Sequence, residues 1–274
     1  MRPFSYHNHT IYDDGKSTVE ETVLSAIEKG CDAIGFSGHS LVVEDPDYCM
    51  PIEAIAPYRA AVIEAKEKYK NDIRIFLGIE QDVASDRSFY NDDYDYRIGA
   101  VHGIRKNGKY YPIDSSLEEF TVLVNEGYGG DVYTLCEDYF ESVSKVYEIT
   151  KCDVVGHVDI IAKFNEIGNF FDENNERYVA AAEKAIKKLA REGMIFEINT
   201  GAMARGYRTK PYPEKRLLDV IRREGGQITY SSDSHASSGV LFGYEDCVAL
   251  AKEFSFEGFM KFRGDGFELC RFDD

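Results

Sequence analysis

The chain has 274 residues, 43% of them hydrophobic, and a net charge of −17 at pH 7. That length can bury a substantial core, as one large barrel or as two ordinary domains, and no linker, low-complexity tract or short-period repeat favours two. The charge excludes nucleic acid and anionic lipid as partners, since no basic run offsets it locally, and no apolar stretch approaches the roughly 20 residues of a membrane span.

Much of the acidity reads as solvated surface, as in residues 172–177. The amino terminus has neither a basic nor a long apolar leader region, so a cytoplasmic location is expected. Six cysteines (Cys31, Cys49, Cys136, Cys152, Cys247, Cys270) show no CxxC pair and are expected as reduced thiols without a chemical role.

In chain order, a first strand is predicted over 3–9. Ser17-Thr18-Val19-Glu20 has the form of a capping box, and Val19, Val23, Ala26 and Ile27 keep helical spacing up to Gly30, giving a helix over 18–29. A strand at 32–37, a helix within 52–70 and strands at 73–80 and 96–104 follow. Residues 105–130 lose periodicity and read as a long excursion. The series resumes with a helix at 132–149, a strand at 152–159, a helix at 174–192 and a strand at 194–200. It ends with a helix at 214–224, a strand at 227–235 and a helix at 244–253.

About seven βα units in one domain spanning 1–274 most simply close into an α/β barrel with its working loops at the carboxyl ends of the strands. An open doubly wound sheet is the alternative, but no GxGxxG turn follows a strand to favour its dinucleotide-binding form.

All six histidines, His7, His9, His39, His102, His157 and His235, fall at or just beyond the carboxyl end of a predicted strand. Glu80, Asp233 and Glu197 do likewise, and Asp14 follows the first strand closely. A lone strand-end histidine is ordinarily a hydrogen-bonded structural residue, and Asp14 alone reads as a turn residue. Glu197 either supports a ligand or is simply structural. The shared placement of all six histidines has no such separate explanation. Imidazoles mixed with carboxylates are the usual ligands of Zn, Mn and Fe. Nine candidates (the six histidines, Asp14, Glu80 and Asp233) exceed what one tetrahedral ion takes and suffice for two or three divalent ions sharing a bridging carboxylate. Such a centre keeps net positive charge to meet a phosphomonoester dianion.

The order HxH, Asp, His, Glu, His, His, DxH resembles the polymerase and histidinol phosphatase (PHP) superfamily from His7 to about Tyr244. Within it, "VVGHVDIIAKF", "FEINTGAMARGYRTKPYPE" and "SSDSHASSGVLFG" resemble its histidinol-phosphatase branch. The resemblance implies a distorted (β/α)7 TIM-like barrel with a trinuclear centre. His7, His9, Glu80 and Asp233 would hold one ion, Glu80, His102 and His157 a second, and Asp14, His39 and His235 a third, with Glu80 as the bridge. Two positions depart from the pattern. Gly38 stands where many relatives have an acidic residue, and Gly103 where an aromatic is common in the branch.

The segment 199–213 supplies Arg205, Arg208 and Lys210 as substrate-binding candidates, with Arg205 the expected phosphate clamp and loop surface charge the competing reading. The implied reaction is hydrolysis of L-histidinol phosphate in histidine biosynthesis. Water activated by the ions would attack phosphorus, Glu80, Asp233 and His235 would be the catalytic residues, and Asp233 or a water would protonate the leaving alkoxide. Competing readings are a phosphatase for a nucleotide or sugar phosphate, a nuclease, a metal-dependent amidohydrolase and a noncatalytic metal-binding module. The expected partner is a small phosphorylated substrate; nothing in the sequence fixes the oligomeric state.

Overall fold

The computed structural model describes residues 1–86, 88 and 93–273. Strands in chain order are β1 (Phe4–Ser5), β2 (Ala33–Phe36), β3 (Arg74–Asp82), β4 (Tyr96–Ala100), a hairpin of β5 (Gly103–Lys106) and β6 (Lys109–Pro112), β7 (Val154–Val155), β8 (Ile195–Asn199), β9 (Gln227–Ser231), and a last hairpin of β10 (Gly258–Phe262) and β11 (Phe267–Arg271). Seven of them form one parallel sheet in the order β1-β2-β3-β4-β7-β8-β9. This is the expected α/β barrel, nearly closed. The two edges meet at the carboxyl end, where Asn8 bridges Ser234, His9 N donates to Ser234 O at 2.8 Å and Ser5 Oγ lies 2.9 Å from Ser232 Oγ.

The first helix, Val19–Glu28, begins one residue later than its sequence signature suggests. Thr18, not Ser17, is the cap: Glu21 N donates to Thr18 Oγ1 at 3.2 Å and Thr18 N donates to Glu21 Oε2 at 2.8 Å. Ser17 instead accepts from Ser237 N at 3.0 Å. The strand expected over 3–9 forms its ladder with β2 only at Phe4–Ser5, and His7 to His9 are held beyond it by the bridge of Asn8 to Ser234 on the other edge. The strand expected over 96–104 ends at Ala100, and its tail turns into the β5–β6 hairpin that opens the excursion. The helix expected over 132–149 is two, Val132–Val143 and Val146–Thr150, parted where Ser144 Oγ donates to its own turn at Glu141 O.

Inside the barrel, the ring of Tyr96 covers Gly35 and Gly78, where any β-carbon would collide with it, and its hydroxyl donates to Tyr6 O and to Phe36 O. The hairpin β10–β11, which hydrophobic pattern did not reveal, stops the amino end. Phe262 packs 5.0 Å from Phe76 and 5.8 Å from Tyr96, and Tyr6 Oη donates to Phe262 O at 3.2 Å. The buried Lys261 of this hairpin pairs with Asp32 at 2.6 Å, since a buried ammonium needs a partner. With one end filled by aromatic side chains, the carboxyl end is where polar residues gather. No helix among the described residues is long and apolar enough to cross a membrane.

Candidate metal centre

Glu80 stands at the middle of the carboxyl end, on β3 and 1% exposed. Its Oε1 faces His157 Nε2 at 2.9 Å and His102 Nε2 at 3.3 Å. Its Oε2 faces His39 Nδ1 at 2.8 Å, His7 Nε2 at 3.2 Å and His9 Nε2 at 3.7 Å. Five imidazoles thus divide between the two oxygens of one carboxylate, which is the arrangement a bridging ligand has. Asp233 Oδ1 lies 3.2 Å from His9 Nε2, and Asp14 Oδ2 lies 3.2 Å from His235 Nε2.

Ligand-capable atoms converge within 4.8 Å in four overlapping groups: His9, Asp14, His39 and His235; His7, His9 and Asp233; His7, Glu80 and His157; His39, Glu80 and His102. All nine sequence candidates are therefore neighbours. The partition expected among three ions is only partly mirrored, because His102 and His157 approach Glu80 in different groups and His9 joins the Asp14 group.

Divalent ions fit this donor set. His7 Nε2 and His9 Nε2 are buried without a hydrogen-bond partner among the described residues, a costly state for polar atoms unless something is bound there. Electrostatics agrees. Burial alone would raise the Glu80 pKa, but His7, His39 and His102 together hold it well below the carboxylate range. Burial opposes protonation of His9 too, yet Asp13, Asp233 and Asp14 raise its pKa to about 10. The fold thus concentrates negative charge that protons or cations must offset.

Local backbone serves this geometry. His157 and Asp233 adopt positive φ, 20° and 46°, unusual for side-chain-bearing residues and often found at functional sites. Gly201 lets Asp233 approach, since a β-carbon there would sit 2.5 Å from Asp233 Oδ2.

A pocket of about 260 Å³ opens beside the cluster, bordered by Asp14, His39, His102, His157, Asp233 and His235. Arg205 also lines it; its Nη1 donates to Asp233 O at 3.0 Å and lies 2.7 Å from His235 Nδ1. Arg208 turns away. Its buried guanidinium donates to Ala162 O at 2.8 Å and to Glu173 Oε2 at 3.2 Å. Lys210 is exposed and borders a separate groove with Pro211 and Leu250.

Sequence reasoning did not find the far wall, Asp45, Tyr48, Asp114, Ser115, Lys163 and Tyr207, which comes from loops and short helices with no periodic signal. Lys163 Nζ donates to Asp114 Oδ2 at 3.2 Å, while Asp45 Oδ2 is buried without a hydrogen-bond partner among the described residues. Tyr48 stacks edge-on against His39 with ring centres 4.8 Å apart. Asp13 and Asp82 were also unforeseen; they back His9 and His102 at 2.6 and 3.0 Å. Their signals lay beside the candidates themselves, in the doubled aspartate of "YDDG" and in the i+2 alternation that puts Asp82 on the same face of β3 as Glu80.

The chain is 30% identical over 273 residues to a protein of Schizosaccharomyces pombe called a probable histidinol-phosphatase, covering 92% of this chain and 85% of that one. A probable histidinol-phosphatase of Deinococcus radiodurans is 24% identical over 251 residues, covering 88% and 90%. The crystal structure of histidinol phosphate phosphatase from Lactococcus lactis, complexed with zinc, L-histidinol and phosphate, shares the fold with a TM-score of 0.73 at 19% identity, over 97% of this chain and 99% of that one. The PHP domain pattern itself matches residues 5–201, which hold His7 through Glu197 of the cluster just described. On that match and the overall likeness to the yeast protein, the chain belongs to the PHP domain family.

Proposed function

We propose that the chain is a metal-dependent phosphomonoesterase that hydrolyses L-histidinol phosphate to L-histidinol and phosphate. The observation that carries this is the division of five imidazoles between the two oxygens of Glu80 beside a pocket that Arg205, Tyr48, Asp45 and Asp114 also line. His7, His9, Asp14, His39, Glu80, His102, His157, Asp233 and His235 would hold two or three divalent ions, zinc, manganese or iron. When bound, such ions supply Lewis-acid stabilisation of phosphoryl charge and acidify water enough to attack phosphorus at neutral pH.

The chain's own groups set orientation. Arg205, held by Asp233 O and 27% exposed, can pivot onto phosphoryl oxygens on the His235 side of the cluster. Burial alone would raise the Asp233 pKa, but Arg205 and His7 hold it well below the usual range, which favours the ionised carboxylate that a divalent ion would take. On the His39–His102 side, Tyr48, Asp45 and Asp114 present an aromatic face and two carboxylates against the single ammonium of Lys163. That side suits a cationic leaving alcohol. An amino alcohol with an imidazole meets this description, and a sugar or nucleoside does not.

The test is turnover by the metal-loaded protein of L-histidinol phosphate, a nucleoside monophosphate and a sugar phosphate in parallel. A kcat/KM for histidinol phosphate at least tenfold above the others is expected. Equal or better hydrolysis of a neutral alcohol's phosphate would overturn the assignment.

A further inference from the structure

Three imidazoles of the cluster are backed by carboxylates that belong to none of the four converging groups. Glu197 Oε1 lies 2.7 Å from His7 Nδ1, Asp13 Oδ2 lies 2.6 Å from His9 Nδ1, and Asp82 Oδ2 lies 3.0 Å from His102 Nδ1. The far nitrogens of these rings point into the cluster. His7 Nε2 and His9 Nε2 are buried without a hydrogen-bond partner among the described residues, and His102 Nε2 faces Glu80 Oε1 at 3.3 Å.

Each backing carboxylate also accepts from donors whose protons cannot relocate. Glu197 Oε2 takes His157 N at 3.1 Å and Asn199 Nδ2 at 2.9 Å, and the Asn199 amide is itself fixed because its Oδ1 accepts from Gly201 N at 2.8 Å. Asp13 Oδ1 takes Thr10 N at 2.8 Å and its Oδ2 takes His39 N at 3.1 Å. Asp82 Oδ1 takes Ala84 N at 2.6 Å and its Oδ2 takes His102 N at 2.8 Å. A carboxylate ringed by donors is an acceptor at both oxygens, so the facing Nδ1 must carry the hydrogen and a neutral ring then keeps its lone pair on Nε2.

We propose that Glu197, Asp13 and Asp82 are positioning residues that fix the Nδ1–H tautomer of His7, His9 and His102, so that divalent ions meet three Nε2 lone pairs already aimed by the fold. The proposal rests on reading the cluster as a metal centre and is independent of the substrate. Asp13 and Asp82 double as local braces, since both their oxygens hold main-chain N–H groups. Glu197 differs in reserving one oxygen for the imidazole alone, which makes it the informative position.

In Glu197→Gln, the fixed donors His157 N and Asn199 Nδ2 keep the amide oxygen on their side, and the NH2 group must turn toward His7 Nδ1. His7 can answer only by accepting at Nδ1 and carrying its hydrogen on Nε2, the atom an ion needs. Near-identical shape with inverted hydrogen bonding therefore predicts weakened metal binding in an otherwise unchanged fold.

The experiment compares wild type and E197Q for zinc content after dialysis, for zinc affinity by chelator competition, and for melting temperature with and without zinc. Removing a hydrogen-bonding partner of a metal-ligating histidine typically costs about 10–100-fold in affinity, and a loss in that range is expected with the zinc-free melting temperature unchanged. Histidine 15N spectra of the zinc-loaded wild type should show Nδ1–H on His7, His9 and His102, a readout that stands even if E197Q does not fold. The inference is overturned by a bare Nδ1 on His7 in wild type, by wild-type zinc affinity in E197Q, or by an equal fall in melting temperature with and without zinc. Because no assay uses a phosphate ester, failure to hydrolyse histidinol phosphate would refute the proposed reaction and leave this result standing.

Discussion

Replacing Glu80 by Gln should separate the centre's chemistry from its fold. Gln preserves volume in a position that is 1% exposed, so no cavity forms. It removes one negative charge from a point where five imidazole nitrogens lie between 2.8 and 3.7 Å. Opposite unit charges about 4 Å apart at an effective dielectric constant near 20 attract by about 4 kcal/mol. Some of this returns because a neutral amide is easier to bury than a carboxylate. A net loss on the order of 3 kcal/mol in binding of the bridged ions is the expectation, more than a hundredfold in affinity. Metal content measured by atomic emission after dialysis should fall, and kcat on a phosphomonoester should fall with it. Any fall in the metal-free melting temperature reports the lost attraction between Glu80 and the surrounding imidazoles and is measured separately on chelator-stripped protein. Wild-type metal content with near-normal turnover would refute the bridging role.

Arg205→Ala should lower kcat/KM by more than tenfold, about 2 kcal/mol for a lost charge-assisted phosphate contact, with metal content retained; unchanged kinetics would return Arg205 to a purely structural pairing with Asp233. Arg208→Met should instead cost stability, about 2 kcal/mol or more, by stranding Glu173 and Ala162 O. Chemical denaturation checks this, and a large kinetic effect without destabilisation would contradict it. The metal-free protein should also respond to pH in a defined direction. His9, raised to about 10 by Asp13, Asp233 and Asp14 against its burial, contributes stability that is complete below about pH 6.5 and is lost as pH rises through about 10. Glu80, held well below the carboxylate range, contributes stability that is present above about pH 4.3 and is lost as pH falls. Melting temperature of the chelator-stripped protein should therefore peak between these limits, while the gain on adding zinc grows from pH 6 to 9. A zinc-free melting temperature that climbs steadily from pH 7 to 10 would contradict the assignment.

The nine cluster residues were legible because histidine is scarce in this chain and strand ends leave a clear trace in hydrophobic pattern. What lay outside that trace was less visible for physical reasons. Arg205, Arg208 and Lys210 share one short segment, but sequence proximity says nothing about direction: the turn after residues 201–204 sends Arg205 to Asp233, buries Arg208 against Glu173 and leaves Lys210 outside. The pocket's far wall depends on where loops land, as does the β10–β11 hairpin, whose aromatic residues fill the barrel's amino end without alternating cleanly along the chain. Short strands have a related cause. β1 and β7 keep ladders of two residues each, and beyond β1 the chain is held by an isolated bridge of Asn8 to Ser234, so neither run is long enough to carry a clear alternating pattern.

The two glycine departures from the family pattern can be followed to the same end. At position 103 a β-carbon would collide with the ring of Tyr110, which crosses over from β6 of the hairpin. An aromatic side chain therefore does stand at this place beside the cluster, but it arrives from seven residues downstream, and an aromatic residue at 103 itself would have to displace it. At position 38 a β-carbon would lie 2.6 Å from Met50 Cε and 3.3 Å from Asp13 Oδ2. An acidic side chain there would set a second carboxylate against Asp13, whose Oδ2 receives His39 N and backs His9 Nδ1. Gly38 is what allows Asp13 that position. Gly38→Asp should accordingly weaken the cluster through Asp13 and His9, although residue 38 is not itself among the ion-holding groups.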